Sequence, residues 1–193
     1  METWVLPALL GLGLAAASGF RTFLPLLMLS GAAHFSLFGI DLNSSFDWVG
    51  STGAVVALTI ATVVELLADL VPLIDNVLSV VGNVTRPIAA VIAAGAVFVH
   101  LDPATAAIAG IIIGAPTALA VSGAQTSFRG ASTVGTAGIA NPVISVIEDV
   151  VSFFVSLIAL ILPLLVPVLL GLLIWGIWRG YRRLRPRPSP QPS

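Results

Sequence analysis

The chain has 193 residues, 58% of them hydrophobic and 9% charged, whereas soluble domains run at roughly 45–50% apolar and about 25% charged. That balance excludes an ordinary soluble globular domain and reads as an all-α membrane protein. Net charge is −1, all eight basic residues are arginine, and five of them crowd into the C-terminal tail, a distribution that speaks for membrane topology and not for nucleic-acid binding.

About 20 apolar residues cross the hydrocarbon core as a helix, and six such spans can be drawn: 4–29, 52–72, 85–101, 104–124, 142–161 and 164–178. The first lacks the positive n-region of a signal peptide, although Ala15, Ala16 and Ala17 imitate a cleavage site, so it reads as a retained span. Residues 31–50 form a long external connection in which Phe35, Phe38, Phe46 and Trp48 lie at the interface. The third span is the shortest, and Arg86 at its start can snorkel to the headgroups beside Pro87. The last two spans are divided near Pro163 and Pro167, because Pro142 to Trp178 is too long for one crossing. Residues 1–178 then make one transmembrane domain, and 179–193 an extended, disordered, basic and proline-rich tail.

Charge parity tests the count. With a cytoplasmic N-terminus, six spans place Arg86, Arg129 and the tail arginines inside, and Asp41, Asp47 and Asp102 outside. Both termini are then cytoplasmic.

A short pattern recurs. Ser18, Gly19 and Thr22 close the first span, and Ser122, Gly123 and Thr126 repeat the spacing 104 residues later. Val63-Val64-Glu65 likewise has a counterpart in Val146-Ile147-Glu148. Three spans per half, over 4–101 and 104–178, would invert the second copy against the first, an architecture that many secondary transporters use. A second register pairs Phe20-Arg21 with Phe128-Arg129. The glycine in each copy permits a helix break, which would expose backbone groups able to bind ions or polar solutes.

Charge at membrane depth costs on the order of 2.5–3.5 kcal/mol per residue, so Glu65 and Glu148 are expected to face protein, water or a cation. They lead the candidate site. Asp69 lies one turn from Glu65, and Arg21, inside the first apolar run, needs a partner such as Glu65 or Asp69. Ser18, Thr22, Ser122 and Thr126 offer neutral coordination or satisfy their own backbones. Asp69, Asp75 and Asp149 sit nearer span ends and read as solvated at the interface. The polar stretch Gln125 to Asn141 reads as a cytoplasmic loop or a re-entrant segment whose Asn141-Pro142 turn precedes the acidic helix. Gly110 and Gly114 make a G-x-x-x-G that packs within the chain or between subunits. His34 and His100 read as exposed residues beside external connections.

Without cysteine, disulfides, thiolate metal sites and Cys nucleophiles are excluded, and two histidines are too few for a His-rich metal site. No dinucleotide glycine fingerprint, P-loop or H-E-x-x-H occurs. No cofactor is implied, and an enzyme is disfavoured.

The set Ser18-Gly19-Phe20-Arg21, Phe23-Leu24-Pro25, Glu65-Leu66-Leu67-Ala68-Asp69, Val71-Pro72, Asp75, Arg86-Pro87 and Asn141-Pro142 with Glu148-Asp149 resembles an uncharacterised bacterial integral-membrane family, domain-of-unknown-function family 4126. The resemblance spans the chain to about Trp178. It implies a bacterial inner-membrane location and no particular activity. The expectation from the residues is a small transporter or channel for an ion or polar solute, single or as a homo-oligomer in the lipid bilayer. In it Glu65, Glu148, Asp69, Arg21, Ser18, Thr22, Ser122, Thr126 and Asn141 bind the cargo. The alternatives are a protein that moves lipid phosphate between leaflets, with Arg21 and Arg129 as phosphate ligands, and a non-transporting scaffold.

Overall fold

The computed structural model describes residues 2–68, 72–136 and 141–184. These residues form α1 (Glu2–Phe20), α2 (Leu24–His34), α3 (Thr52–Ala68), α4 (Pro72–Ala96), α5 (Pro103–Thr136), α6 (Asn141–Ile161) and α7 (Val166–Leu184), with three short 3-10 turns between them. Asp69 lies outside the described residues, as do the side chains of Asp75 and Asn141.

Pro103–Gly130 and Pro142–Ile161 are long and apolar enough to cross a membrane, and Ser44–Gly50 with Thr52–Ala68 makes a third crossing if the 62° bend between them is counted as one span. Trp4–Phe20, Leu24–His34, Val81–Ala96 and Pro163–Gly176 are shorter apolar helices. The outer surface carries many large apolar side chains, among them Ile60, Ile112, Leu164, Val168 and Ile174. Such continuous apolar exposure suits hydrocarbon rather than water.

The core is built on small residues. Leu14 to Ala17 of α1, Ala89, Ala90, Ala93 and Ala94 of α4, and Ala106 and Ala118 of α5 are buried, which lets α1, α4 and α5 pack closely along their lengths. The G-x-x-x-G packs inside the chain: a Cβ on Gly110 would stand 2.5 Å from the Val91 carbonyl oxygen, and one on Gly114 would stand 2.5 Å from that of Ala90.

Several expectations are corrected. The first span is two helices, because Pro25 lacks an N–H and its ring would clash with the Arg21 carbonyl if the helix continued. The equivalent position in the second copy of the pattern is Arg129, and α5 runs unbroken through Ser122, Gly123 and Thr126 to Thr136. The stretch from Gln125 is therefore helix as far as Thr136, neither loop nor re-entrant turn. The segment expected as the third span belongs to a longer helix that begins at Pro72 and ends at Ala96, of which Val81–Ala96 is the apolar part. Helix α7 includes residues 179–184, which the sequence places in the tail; residues 185–193 lie outside the described residues. The division near Pro163 falls where the prolines place it, with α6 ending at Ile161 and α7 opening at Val166.

The connection from α2 to α3 is pinned by one buried amide. The Asn43 Nδ2 donates to the carbonyls of Phe98 and Leu101, both at 2.8 Å, and its Oδ1 accepts from the Ser45 N–H at 3.2 Å. Asn43 thus satisfies the Leu101 carbonyl just beyond the C-terminus of α4 and adds a second bond to that of Phe98, which also accepts from the Leu101 N–H at 3.2 Å. Ser30 Oγ donates to the Val49 carbonyl, and the His34 ring hydrogen-bonds that of Gly50 at 2.8 Å. Phe35, Phe38 and Trp48 stay exposed, whereas Phe46 packs against Gly95. Asn43→Ala is expected to cost about 1–3 kcal/mol, since it leaves the Leu101 carbonyl unpaired; thermal unfolding of the detergent-solubilised protein measures it.

Asp102 caps α5 and Pro103 occupies its first position. Hydrogen bonds from the Thr105 hydroxyl and backbone N–H hold the Asp102 carboxyl below the usual carboxylate range. Its contribution to the cap is present at neutral pH and is lost as pH falls through that lowered value.

Candidate functional site

The break after α1 releases backbone N–H groups that the helix would have used. Glu65, on the last turn of α3, takes two of them: Thr22 N–H donates to Oε1 at 2.8 Å and Phe23 N–H to Oε2 at 3.1 Å. A carboxylate is a good partner there, since the N-terminus of α2 carries partial positive charge. The break expected at Gly19 therefore exists, but a carboxylate of the chain itself fills it. Gly19 has a second role: a Cβ there would stand 2.6 Å from Val121 Cβ and 2.9 Å from the Ala118 carbonyl oxygen, so only glycine lets α1 press onto α5.

Arg21 emerges from the break, is buried, and crosses to α6. Its Nε forms an ion pair with Asp149, and its Nη2 donates to the Ser145 carbonyl at 3.0 Å. Asp149 is thus a core partner and not a solvated span end, and Arg21 pairs with it instead of Glu65; Asp69 lies outside the described residues. Next to this pair Arg129 reaches from α5. Its Nε donates to both oxygens of Glu148 at 3.1 Å, and its Nη2 donates to Glu148 Oε2 at 2.6 Å and to Ser145 Oγ at 2.5 Å. One turn of α6 therefore receives an arginine from each copy of the Phe-Arg dipeptide, and Glu148 is committed to a two-pronged arginine contact.

The third arginine departs from the snorkelling expected of it. Arg86 does not snorkel; it is 9% exposed and turns back over Gly82, where an added Cβ would stand 3.2 Å from its Nε. Its Nη1 donates to Gln125 Oε1 at 2.8 Å. Glu65, Glu148, Arg21 and Arg129 are all close enough to act on it electrostatically. Among the described residues no carboxylate forms a salt bridge with Arg86, and both its Nε and the Gln125 Nε2 are buried without a hydrogen-bond partner. Gln125 could have been found as an amide placed among small residues near the end of an apolar helix. Arg86 could not, because its burial depends on α4 starting well before the apolar run.

Ser18 Oγ and Thr62 Oγ1, the latter almost one turn before Glu65, are also buried and unpartnered. The remaining hydroxyls are used locally. Ser122 Oγ donates to the Leu119 carbonyl at 3.3 Å and Thr126 Oγ1 to that of Ser122 at 2.8 Å, and Thr126 is exposed. Ser152 Oγ donates to the Ala17 carbonyl at 3.1 Å and ties α6 to α1. The structure therefore brings together Ser18, Arg21, Glu65 and Glu148 and adds Arg86, Gln125, Arg129 and Asp149. Thr22 contributes a backbone N–H, and the described part of Asn141 is its backbone alone. Three arginines face three carboxylates, so the described network is formally neutral. Among the described residues no three His, Cys, Asp or Glu side chains gather as metal ligands.

A family model, domain of unknown function (DUF4126), matches residues 8–183. The chain belongs to that family. No curated protein and no solved structure matches it. The match runs from the first turns of α1 nearly to the end of α7, so in this DUF4126 chain the whole charge network lies inside the family domain.

Proposed function

We propose that this DUF4126 protein is a small integral-membrane transporter whose polar centre handles an anionic or acceptor-rich group at Arg86 and Gln125. The proposal places it in a bacterial inner membrane with six spans, both termini cytoplasmic, and two inverted halves that deliver Arg21 and Arg129 to the same turn of α6. Arg86 carries the reading. It is a buried cation whose one described hydrogen-bond partner is an amide, and the unused polar atoms beside it, its own Nε and the Gln125 Nε2, are donors. A buried polar group without a partner calls for an explanation, and a bound acceptor supplies one.

The division of labour follows from the partners. Glu148 and Asp149 are engaged by Arg129 and Arg21, and Glu65 holds the helix break. This supports a structural role for the two ion pairs and moves the cargo from the carboxylates, where the sequence places it, to the third arginine. Two of the basic residues counted for topology, Arg86 and Arg129, are members of the buried network, so the inside orientation rests mainly on the tail.

Efflux from proteoliposomes tests the proposal, with chloride, acetate, inorganic phosphate and a fluorescent alkyl phosphate as cargoes. At least one should cross faster than in protein-free liposomes, and Arg86→Gln should slow it by about tenfold, the equivalent of one lost charge-assisted hydrogen bond. Rates equal to protein-free liposomes for all four, or unmoved by Arg86→Gln, would reject it.

A further inference from the structure

Helix α7 touches α1 and α6 only lightly and leaves a trough beneath it. One part, about 370 Å³, is walled by Phe20, Phe128, Ile147 and Leu172 and ends on Gln125 and Glu148. A second, about 380 Å³, adjoins it at Phe20, Ala124 and Leu173 and continues along α5 to Pro116. From Pro116 to Phe128 the trough follows α5 for about 18 Å at helical rise. Its walls are apolar almost throughout, and both parts open onto an outer surface that carries the exposed apolar side chains Phe128, Ile147, Leu172 and Ile174.

Such a shape does not suit a small hydrated ion. An apolar channel open at the side takes a hydrocarbon chain, and the polar groups at its end decide what the chain must carry. Of the two side chains there, Glu148 is occupied by Arg129. Gln125 is 6% exposed, holds Arg86 through its oxygen, and has its amide nitrogen free of any described partner. Gln125 is therefore the polar residue that the trough offers; its unused group is a buried N–H donor, and Arg86, which does not line the trough, stands behind it on the amide oxygen at 2.8 Å, so the complementary group is an anionic acceptor.

Resting on the transporter reading above, we propose that the cargo is an anionic amphiphile. Its single hydrocarbon chain lies beneath α7, and its carboxylate or phosphate head meets Gln125, with the Arg86 charge behind that amide. Loading is then lateral, from within the bilayer, and the polar centre receives only the head.

The test uses the full chain in phosphatidylcholine nanodiscs and three photoactivatable probes with the same chain: dodecanoate, dodecyl phosphate and dodecanol. One or both anionic probes should label the peptides containing Phe20, Ala124 or Leu173 with about tenfold higher yield than the alcohol, and the stronger of the two identifies the head. Gln125→Glu, which sets a second carboxylate beside Glu148, should bring anionic labelling down to the level of the alcohol. Leu173→Trp, which fills the trough without altering its polar end, should abolish labelling by all three. Equal yields from the three probes, or labelling unmoved by Leu173→Trp, would overturn the proposal. The two readings separate cleanly. Labelling with no flux of any cargo makes the trough a binding site and rejects transport, whereas flux of small anions without labelling rejects the amphiphile and leaves transport standing.

Discussion

Arg129→Met should cost about 3–5 kcal/mol of stability, because it leaves the Glu148 carboxylate buried without its cation. Glu148 is 7% exposed and Arg129 14%, so neither charge can turn to water without moving a helix. The paired replacement, Arg129→Met with Glu148→Leu, should recover most of that loss, since exchanging a whole buried pair for apolar side chains of similar size is often neutral or stabilising. Unfolding of the two variants in the same detergent gives the comparison. If the pair bound cargo directly, the double variant would fold and yet lose flux. On the present account it folds and keeps it.

The seam between α4 and α5 should tolerate almost no added volume. At Gly114 an added Cβ would meet the backbone of Ala90 and Val91 at 2.5–2.7 Å, closer than side-chain motion can relieve, so the helices themselves must part. Gly114→Ala is expected to lose about 1–3 kcal/mol, and Gly114→Leu should leave no folded protein. Gly123, with nothing within 4 Å of its added Cβ, is the control: Gly123→Ala removes a flexible residue from a helix interior and should stabilise by about 0.5–1 kcal/mol. Size-exclusion profiles and thermal unfolding of the three variants check the order. Equal tolerance at 114 and 123 would mean that the two helices do not touch as described.

What the sequence discloses depends on whether the signal is local. The helix division at Pro163 and the break before Pro25 both come from a residue that cannot donate and that clashes with the preceding turn. The second is local to Pro25: the glycine of the Ser-Gly pattern permits a break without making one, and α5, with Arg129 in place of the proline, runs on through its copy of the pattern. The burial of Glu65 and Glu148 followed from the cost of charge in an apolar run. Their partners did not, because pairing is tertiary. Arg21 finds Asp149, 128 residues away (149 − 21), where a neighbouring span offered nearer carboxylates. Arg86 was misread for a different reason. A polar segment before the apolar run looks like a connection, yet α4 continues through it, which puts the arginine inside the protein instead of at its edge.

The network has a physical logic that spans these cases. Two arginine–carboxylate pairs converge on one turn of α6 and lock α1 and α5 to it, and a third carboxylate satisfies the backbone opened by Pro25. These groups answer one another. Arg86 and Gln125 are left with unspent buried donors, and Gln125 also lines the end of an apolar trough, an asymmetry that distinguishes a site from a clasp.

Because the chain contains no cysteine, Gln125→Cys gives a single thiol at the heart of the proposed centre. In proteoliposomes it should react with a negatively charged thiosulfonate about tenfold faster than with a positively charged one, since Arg86 raises the local concentration of anions. It should also react about tenfold faster than a thiol at Leu14→Cys, a position that is 0% exposed. A Gln125→Cys thiol as inert as that at Leu14, or one preferring the cationic reagent, would contradict an anion-receiving centre at Arg86.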